Sequence, residues 1–375
     1  MINKKRLIKL IRALIGIDSQ NPPGDESAIA GFVKDYLAGL GLKVKTYEFS
    51  KRRTNVVSVL PGRDRKRSLL ITPHLDTVPA GRSWTVRPFF GLVKGDKVYG
   101  LGATDCKSNL ACAMEAVNCI VEDGAMLDYD LVFAATADEE SGSSLGLIPL
   151  LDKGILKPDA ALVLDADDFD IVTTQKGLMH LKVKIRGKKA HGAYPWLGIN
   201  AIDQAIAVIG QVKAHRFKHA KNKYLHPPTV NIGTIKGGDK VNVVADWCEF
   251  EMDLRFLPGT KSAEVLRQVR AIVKRGAGSF VIEIEGIQQP YFIDEKHSLV
   301  AGLKRSARRF GADSKVRGSE GATVITFFQH KNIPAVATGY GSGNCAHMAD
   351  EYARISDLYK GALVLADFLK NYRFE

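Results

Sequence analysis

Apolar and polar residues alternate in two different regimes along this chain. In the first, apolar residues come in short, nearly continuous runs: Asn55 to Leu60, Leu69 to Thr72, Leu131 to Ala137 and Ala160 to Leu164. Runs of that length, bounded by turn residues, predict strands buried on both faces. Between them the spacing turns helical. Ile2 to Leu40 reads as two helices separated by the loop Asp18 to Asp25, which carries Asn21-Pro22-Pro23-Gly24. Val44 to Phe49 pairs with Asn55 to Leu60 as strands, Ser108 to Glu122 is helical up to a stop near Gly124, and Leu145 to Leu151 lies in another helix. Alternating strands and helices predict an α/β fold with a central sheet flanked by helices.

The second regime begins near Gly177. Leu178 to Arg186 alternates as a half-buried strand, Asn200 to Val212 is helical, and Thr229 to Ile235 and Val241 to Phe256 are strands joined at Gly237-Gly238. A helix, Thr260 to Arg275, and a strand, Phe280 to Glu285, follow. The order β-α-β-β-α-β predicts a ferredoxin-like layer. It sits as an inserted domain, 177–288, between two parts of the larger domain, 1–176 and 289–375. In the last part come a helix near Ser298 to Phe310, a Gly-rich turn from Arg317 to Gly321, the strand Ala335 to Thr338, a glycine-rich loop and a final helix, Ile355 to Tyr372.

A length of 375 residues suits two domains, and 45% hydrophobic with 25% charged residues describes a globular protein with a sizeable core. No apolar run is long enough to span a bilayer, and the first segment reads as an amphipathic helix rather than a signal peptide, so no membrane association and a cytoplasmic location are expected. Five cysteines without a Cys-x-x-Cys argue against a disulfide framework or a thiolate zinc site. The net charge of +12 is assigned to solvated loops such as Lys51-Arg52-Arg53, Arg63 to Arg67 and Lys218 to Lys223. No motif or interleaved aromatics point to nucleic acid, and none is expected as a partner.

The chemistry lies at the strand ends. The run at Leu69 delivers His74-Leu75-Asp76, the run at Leu131 delivers Asp138-Glu139-Glu140, and the run at Ala160 delivers Asp165. Asp105 leaves a Gly-rich turn, Gly100 to Lys107, and His347 follows the loop after Thr338. Imidazole and carboxylate are the ligands of catalytic zinc. Five of them, His74, Asp105, Glu140, Asp165 and His347, are too many for one open site but fit two metals sharing a carboxylate, about 3.5–4 Å apart. Asp105, in the tightest turn, is the natural bridge. Asp76 is placed to accept the second ring N–H of His74. Glu139 and Glu140, adjacent at a strand end, point apart, so one can bind metal while the other faces a water.

The motifs Pro73-His74-Leu75-Asp76-Thr77-Val78-Pro79, Gly102-Ala103-Thr104-Asp105-Cys106-Lys107, Asp138-Glu139-Glu140, Lys189-Ala190-His191-Gly192 and Ala346-His347-Met348-Ala349-Asp350-Glu351 together resemble one family. It is the acetylornithine deacetylase, succinyl-diaminopimelate desuccinylase, aminoacylase and glutamate carboxypeptidase family of di-zinc metallohydrolases. The resemblance implies a zinc-exopeptidase-like catalytic domain with an inserted lid and dimerisation domain, hence a homodimer. It implies two zinc ions, with cobalt or manganese left open by the ligand set. His74 and Asp165 would hold one, Glu140 and His347 the other, and Asp105 both, with Glu139 as general base. His191 would reach the partner's site and stabilise an oxyanion. Arg255 would grip a substrate carboxylate, Asn242 would touch substrate, and Gly341 would border the pocket. The implied reaction is deacylation of an N-acyl amino acid, with dipeptidase or glutamate carboxypeptidase activity on a short peptide as the alternative. A non-catalytic relative should have lost the base or a ligand, and this chain keeps them all.

Three positions depart from the family pattern: Ser108, Asp165 (with Asp167 and Asp168 as rival ligands) and Gly339-Tyr340-Gly341. The resemblance also implies a cis peptide between Asp105 and Cys106.

Overall fold

In the computed structural model, which describes residues 1–374, the chain divides into two compact units. The first holds Met1–Thr173, Ile293–Arg317 and the chain from Phe327 onward. Its centre is a mixed sheet in the order Lys43–Glu48, Thr54–Leu60, Asp130–Ala135, Ser68–Thr72, Ala160–Val163, Ala335–Thr338, Ile171–Gln175. Ser68–Thr72 runs parallel to both its neighbours, and Ala335–Thr338 runs parallel to Ala160–Val163, while the strands towards the edges pair antiparallel. Three of the four continuous apolar runs of the sequence, at Leu69, Leu131 and Ala160, are parallel strands, whereas the run Asn55 to Leu60 pairs antiparallel on both sides. Residues 69–72 and 160–163 are buried throughout, as a sheet covered on both faces requires.

Helices cover that sheet. Lys107–Glu122 is buried from Lys107 to Ile120 and packs against Lys4–Ile15 and Ile355–Asn371. Lys4–Ile15 shows the usual amphipathic division: Leu7, Leu10, Ile11, Leu14 and Ile15 face inward, and the Asn3 side chain caps its start by accepting from the Arg6 N–H. A small sheet of Leu92–Lys94, Lys97–Tyr99 and Tyr352–Arg354 was not expected from the sequence. Its strands, three residues each, are too short to leave a periodic signal.

The second unit holds Thr174–Phe292 and Gly318–Thr326, so the boundaries expected at 177 and 288 fall inside it. Its antiparallel sheet runs Thr229–Gly237, Trp247–Phe256, Gly177–Arg186, Ser279–Gln288, with the helices Ala201–Ala214 and Ser262–Gly276 on one face. This is the expected β-α-β-β-α-β order. Met179, Leu181, Val183 and Ile185 alternate inward with Cys248, Phe250, Met252, Leu254 and Phe256 against Val208, Val212, Val265 and Val269. Each large apolar side chain so buried contributes roughly 1.5–3 kcal/mol. One expected strand is corrected: it begins at Trp247, not Val241. Residues 242–245 spend their backbone groups on the loop at 190–201 instead, through Gly192 N–H to Asn242 O (2.8 Å), Val244 N–H to Ala190 O (2.9 Å) and Ala201 N–H to Ala245 O (2.8 Å). No helix among the described residues is long and apolar enough to cross a membrane.

Candidate metal centre

Three neighbouring parallel strands end at one edge of the first unit's sheet, and each releases acids or imidazoles there. Ser68–Thr72 leads to His74 and Asp76, Asp130–Ala135 to Asp138, Glu139 and Glu140, and Ala160–Val163 to Asp165. Asp105 arrives on the turn before helix Lys107–Glu122, across a cis Asp105–Cys106 peptide. His347 comes on the loop after Ala335–Thr338, in a left-handed backbone conformation with φ 59°.

Asp105 stands between the two imidazoles. Its Oδ1 is 2.9 Å from His74 Nε2, and its Oδ2 is 3.1 Å from His347 Nε2. Asp165 Oδ1 lies 3.7 Å from the same His74 nitrogen, and Glu140 Oε2 lies 3.3 Å from the same His347 nitrogen. Potential ligand atoms thus gather in two groups, His74–Glu139–Asp165 and Asp105–Glu140–His347, each within 4.8 Å. Cys106 is also within such reach of His74 and Asp105, but its Sγ is engaged by the His74 backbone, with the N–H at 3.2 Å and the carbonyl at 3.5 Å, and burial pushes its thiol up to about 12. The rival aspartates are occupied elsewhere: Asp167 pairs with Arg317, and Asp168 accepts the Gly343 N–H at 3.1 Å.

Two details differ from expectation. His74 Nδ1 lies 2.9 Å from the backbone carbonyl of Asp76, closer than the 3.6 Å to its carboxylate. A donated N–H there still leaves Nε2 free to ligate. The Asp76 carboxylate instead accepts the backbone N–H groups of Glu139 (3.1 Å) and Glu140 (3.2 Å) and the Asn21 amide (2.9 Å). Glu139 and Glu140, moreover, lie in a 3₁₀ turn after Asp138, whose φ is 65°, and not on a strand. The turn, rather than strand alternation, sends Glu139 towards His74 and Asp165 and Glu140 towards His347.

The electrostatics suit divalent cations. Asp76, Asp105, Glu139, Glu140 and Asp165 converge on two imidazoles. Burial, followed by the charge of Asp165, raises the Glu139 carboxyl well above its ordinary range, and burial also raises Glu140 and Asp165. Burial opposes ionisation of Asp105 too, but His347 and His74 hold its carboxyl below the usual range. Glu140 Oε1 is buried with no hydrogen-bond partner. An orphaned carboxylate oxygen beside an imidazole costs free energy unless a cation completes it. The donor set, with carboxylate and imidazole only, fits zinc or a similar divalent ion.

Sequence reasoning missed one residue that builds this centre. Glu351, 1% exposed, accepts three backbone N–H groups of the Asp105 turn: Gly102 (2.8 Å), Thr104 (2.7 Å) and Asp105 (2.9 Å). Burial holds its carboxyl up at about 7 despite these donors. Gly341 packs on the same turn, where an added Cβ would meet Thr104 Cγ2 at 2.8 Å.

The remaining expected site residues lie in the second unit. His191 and Asn242 are neighbours there: His191 bridges Val243, and its Nδ1 accepts the Ala193 N–H at 3.0 Å. Arg255 lies on strand Trp247–Phe256 and forks onto Asp253 at 2.7 and 2.9 Å.

Residues 70–371 match Peptidase family M20/M25/M40. The chain belongs to this family. It is 28% identical to an uncharacterized metallohydrolase of Methanocaldococcus jannaschii, over 97% of this chain and 98% of the relative. It is also 28% identical to an acetylornithine deacetylase of Proteus mirabilis, over 97% and 96% of the two chains. Among solved structures, a tripeptidase from Staphylococcus aureus superposes with a TM-score of 0.82 at 26% identity, covering 99% of this chain and 98% of that one. The M20/M25/M40 chain described here is accordingly a hydrolase of amide or peptide bonds.

Proposed function

We propose that this M20/M25/M40 hydrolase is a two-metal deacylase acting on N-acyl amino acids of the acetylornithine deacetylase and desuccinylase type. The observation that carries the reading is Asp105, which offers one carboxylate oxygen to the neighbourhood of each imidazole. His74 and Asp165 would hold one cation, Glu140 and His347 the other, and zinc is the proposed metal, with cobalt and manganese as alternatives. When bound, such a pair polarises a scissile carbonyl and acidifies a water.

Glu139 takes the proton of the attacking water and hands it to the leaving amine, a role open to a glutamate placed beside His74 and Asp165. Asp76 keeps His74 and the Glu139–Glu140 turn in place. Arg255 supplies a fork for the substrate carboxylate, Asn242 and the Gly341 backbone contact the substrate, and His191 donates to the developing oxyanion. The last role makes the second unit a lid and dimerisation module of a homodimer, which sedimentation checks. A second reading, cleavage of short peptides, is favoured by the tripeptidase likeness.

Metal analysis of the purified protein, coupled to amine release from parallel panels of N-acyl amino acids and short peptides, tests the proposal. Two bound cations with turnover confined to the N-acyl panel is the expected result; turnover of peptides alone transfers the assignment to the second reading. Glu139→Ala should keep both cations and lose turnover, and an active variant would remove Glu139 from the role of base.

A further inference from the structure

Behind the metal centre lies a second charged cluster that none of the proposed chemistry uses. Arg53 belongs to a basic run that reads in sequence as a solvated loop, yet it is only 8% exposed. Its guanidinium donates to both oxygens of the buried Glu26, from Nε at 2.7 Å and from Nη2 at 2.8 Å. Nη2 also donates to Asp138 Oδ1 at 2.9 Å. Asp138 is held on its other side by the Ser144 hydroxyl (3.0 Å) and the Leu145 N–H (2.9 Å), and its own N–H points to Glu26 Oε1 at 3.4 Å. The Asn21 amide then joins Asp138 Oδ1 (3.4 Å) to Asp76 Oδ2 (2.9 Å). The chain lies flat on this cluster: a Cβ at Gly24 would fall 2.3 Å from Arg53 Nη1.

Burying such a set of charges is poor value as a source of stability, because the desolvation cost offsets most of the attraction. What it does fix is geometry. Asp138 occupies a left-handed conformation, uncommon for a non-glycine residue though less so for aspartate, and its bonds to Arg53, Ser144 and Leu145 pin it there. That conformation aims the next two N–H groups, of Glu139 and Glu140, at Asp76. A lysine at 53 could not replace the fork, since it presents a single point charge.

We propose that Arg53, with Glu26 and Asn21, is a positioning device for the metal centre: through Asp138 and Asp76 it sets where Glu139, Glu140 and His74 stand before any cation arrives. This rests on the two-metal reading above. Arg53, Glu26 and Asn21 are not ligands and none is given a contact with substrate, so their effect should fall on metal affinity and kcat and spare KM.

The test is calorimetric titration of metal-stripped protein with Zn2+, together with steady-state kinetics, for wild type, Arg53→Lys, Arg53→Met with Glu26→Met, and Asn21→Ala. The expected result is a loss of about 10- to 100-fold in metal affinity, with kcat falling comparably and KM nearly unchanged. The double variant removes Arg53 and Glu26 as a neutral pair and leaves Asp138 to its Ser144 and Leu145 donors, so a merely structural cluster would allow it native affinity and kcat once folded. Asn21→Ala, which deletes only a neutral amide, covers the case in which the Arg53 variants do not fold. Folded variants with wild-type affinity and kcat would overturn the inference alone. A wild-type protein that takes up no Zn2+ would instead remove the two-metal reading, and this inference with it.

Discussion

Glu351 gives the sharpest quantitative test of how the centre is built. Its carboxylate is the acceptor for three buried N–H groups, with Oε1 serving Thr104 and Asp105 and Oε2 serving Gly102. An orphaned buried donor costs about 1–3 kcal/mol, so Glu351→Ala, which orphans all three, should destabilise the first unit by about 3–9 kcal/mol. Glu351→Gln keeps an oxygen for Thr104 and Asp105 but turns its amide on the Gly102 N–H, donor against donor. One orphan remains, and the expected cost is about 1–3 kcal/mol. Urea unfolding at pH 5, where burial keeps the Glu351 carboxyl neutral in the folded state, measures both values, and hydrogen exchange gives the local readout, with protection lost across 102–105 in Glu351→Ala and at 102 first in Glu351→Gln. If Glu351→Ala unfolds within about 1 kcal/mol of wild type and keeps its exchange protection, the Asp105 turn is held by something else and the reasoning fails.

Other outcomes follow from the same geometry. Burial raises the Glu351 carboxyl from an ordinary 4.5 to about 7, so the folded state binds its proton more tightly than the unfolded one. Its contribution to stability is therefore full below pH 4.5 and lost as pH rises through 7, by about 3 kcal/mol in the metal-free protein, and Glu351→Gln should flatten that part of the pH–stability curve. In the metal-free protein Asp105, then Glu140, holds the His347 imidazole up at about 10, so it must shed a proton to ligate. Metal uptake near neutral pH should release that proton, seen by calorimetry in buffers of different ionisation enthalpy, and apparent affinity should rise about tenfold per pH unit for each proton released. Affinity independent of pH would count against His347 as a ligand. At Gly339 an added Cβ would sit 1.7 Å from the Ala166 carbonyl oxygen, so Gly339→Ala must push two adjacent strand ends apart. A loss of about 1–3 kcal/mol in urea unfolding is expected.

Much of the centre was legible because its signals are local. His74, the Asp138–Glu140 segment and Asp165 each follow an apolar run that can be read as a buried strand, and Asp105 follows glycines that announce a tight turn. The supports were not legible, because they act on backbone groups far along the chain. Glu351 serves N–H groups about 250 residues earlier, and no choice of residue type at 102–105 advertises a need for an acceptor. Arg53 was misread for a related reason: a run of three basic residues looks solvated unless the partner carboxylates, at 26 and 138, are known to close on one of them. The Val241 strand failed because a β-branched segment beside a turn has the right composition, while the loop at 190–201 competes for the same hydrogen bonds.

The spread of the proposed ligands along the chain bears on synthesis. His74, Asp105 and Asp165 all precede the inserted unit, whereas His347 follows it. A ribosome therefore finishes one half of the paired site long before the other. Until the closing stretch emerges and brings the His347 imidazole beside Asp105, the nascent polypeptide carries an incomplete centre.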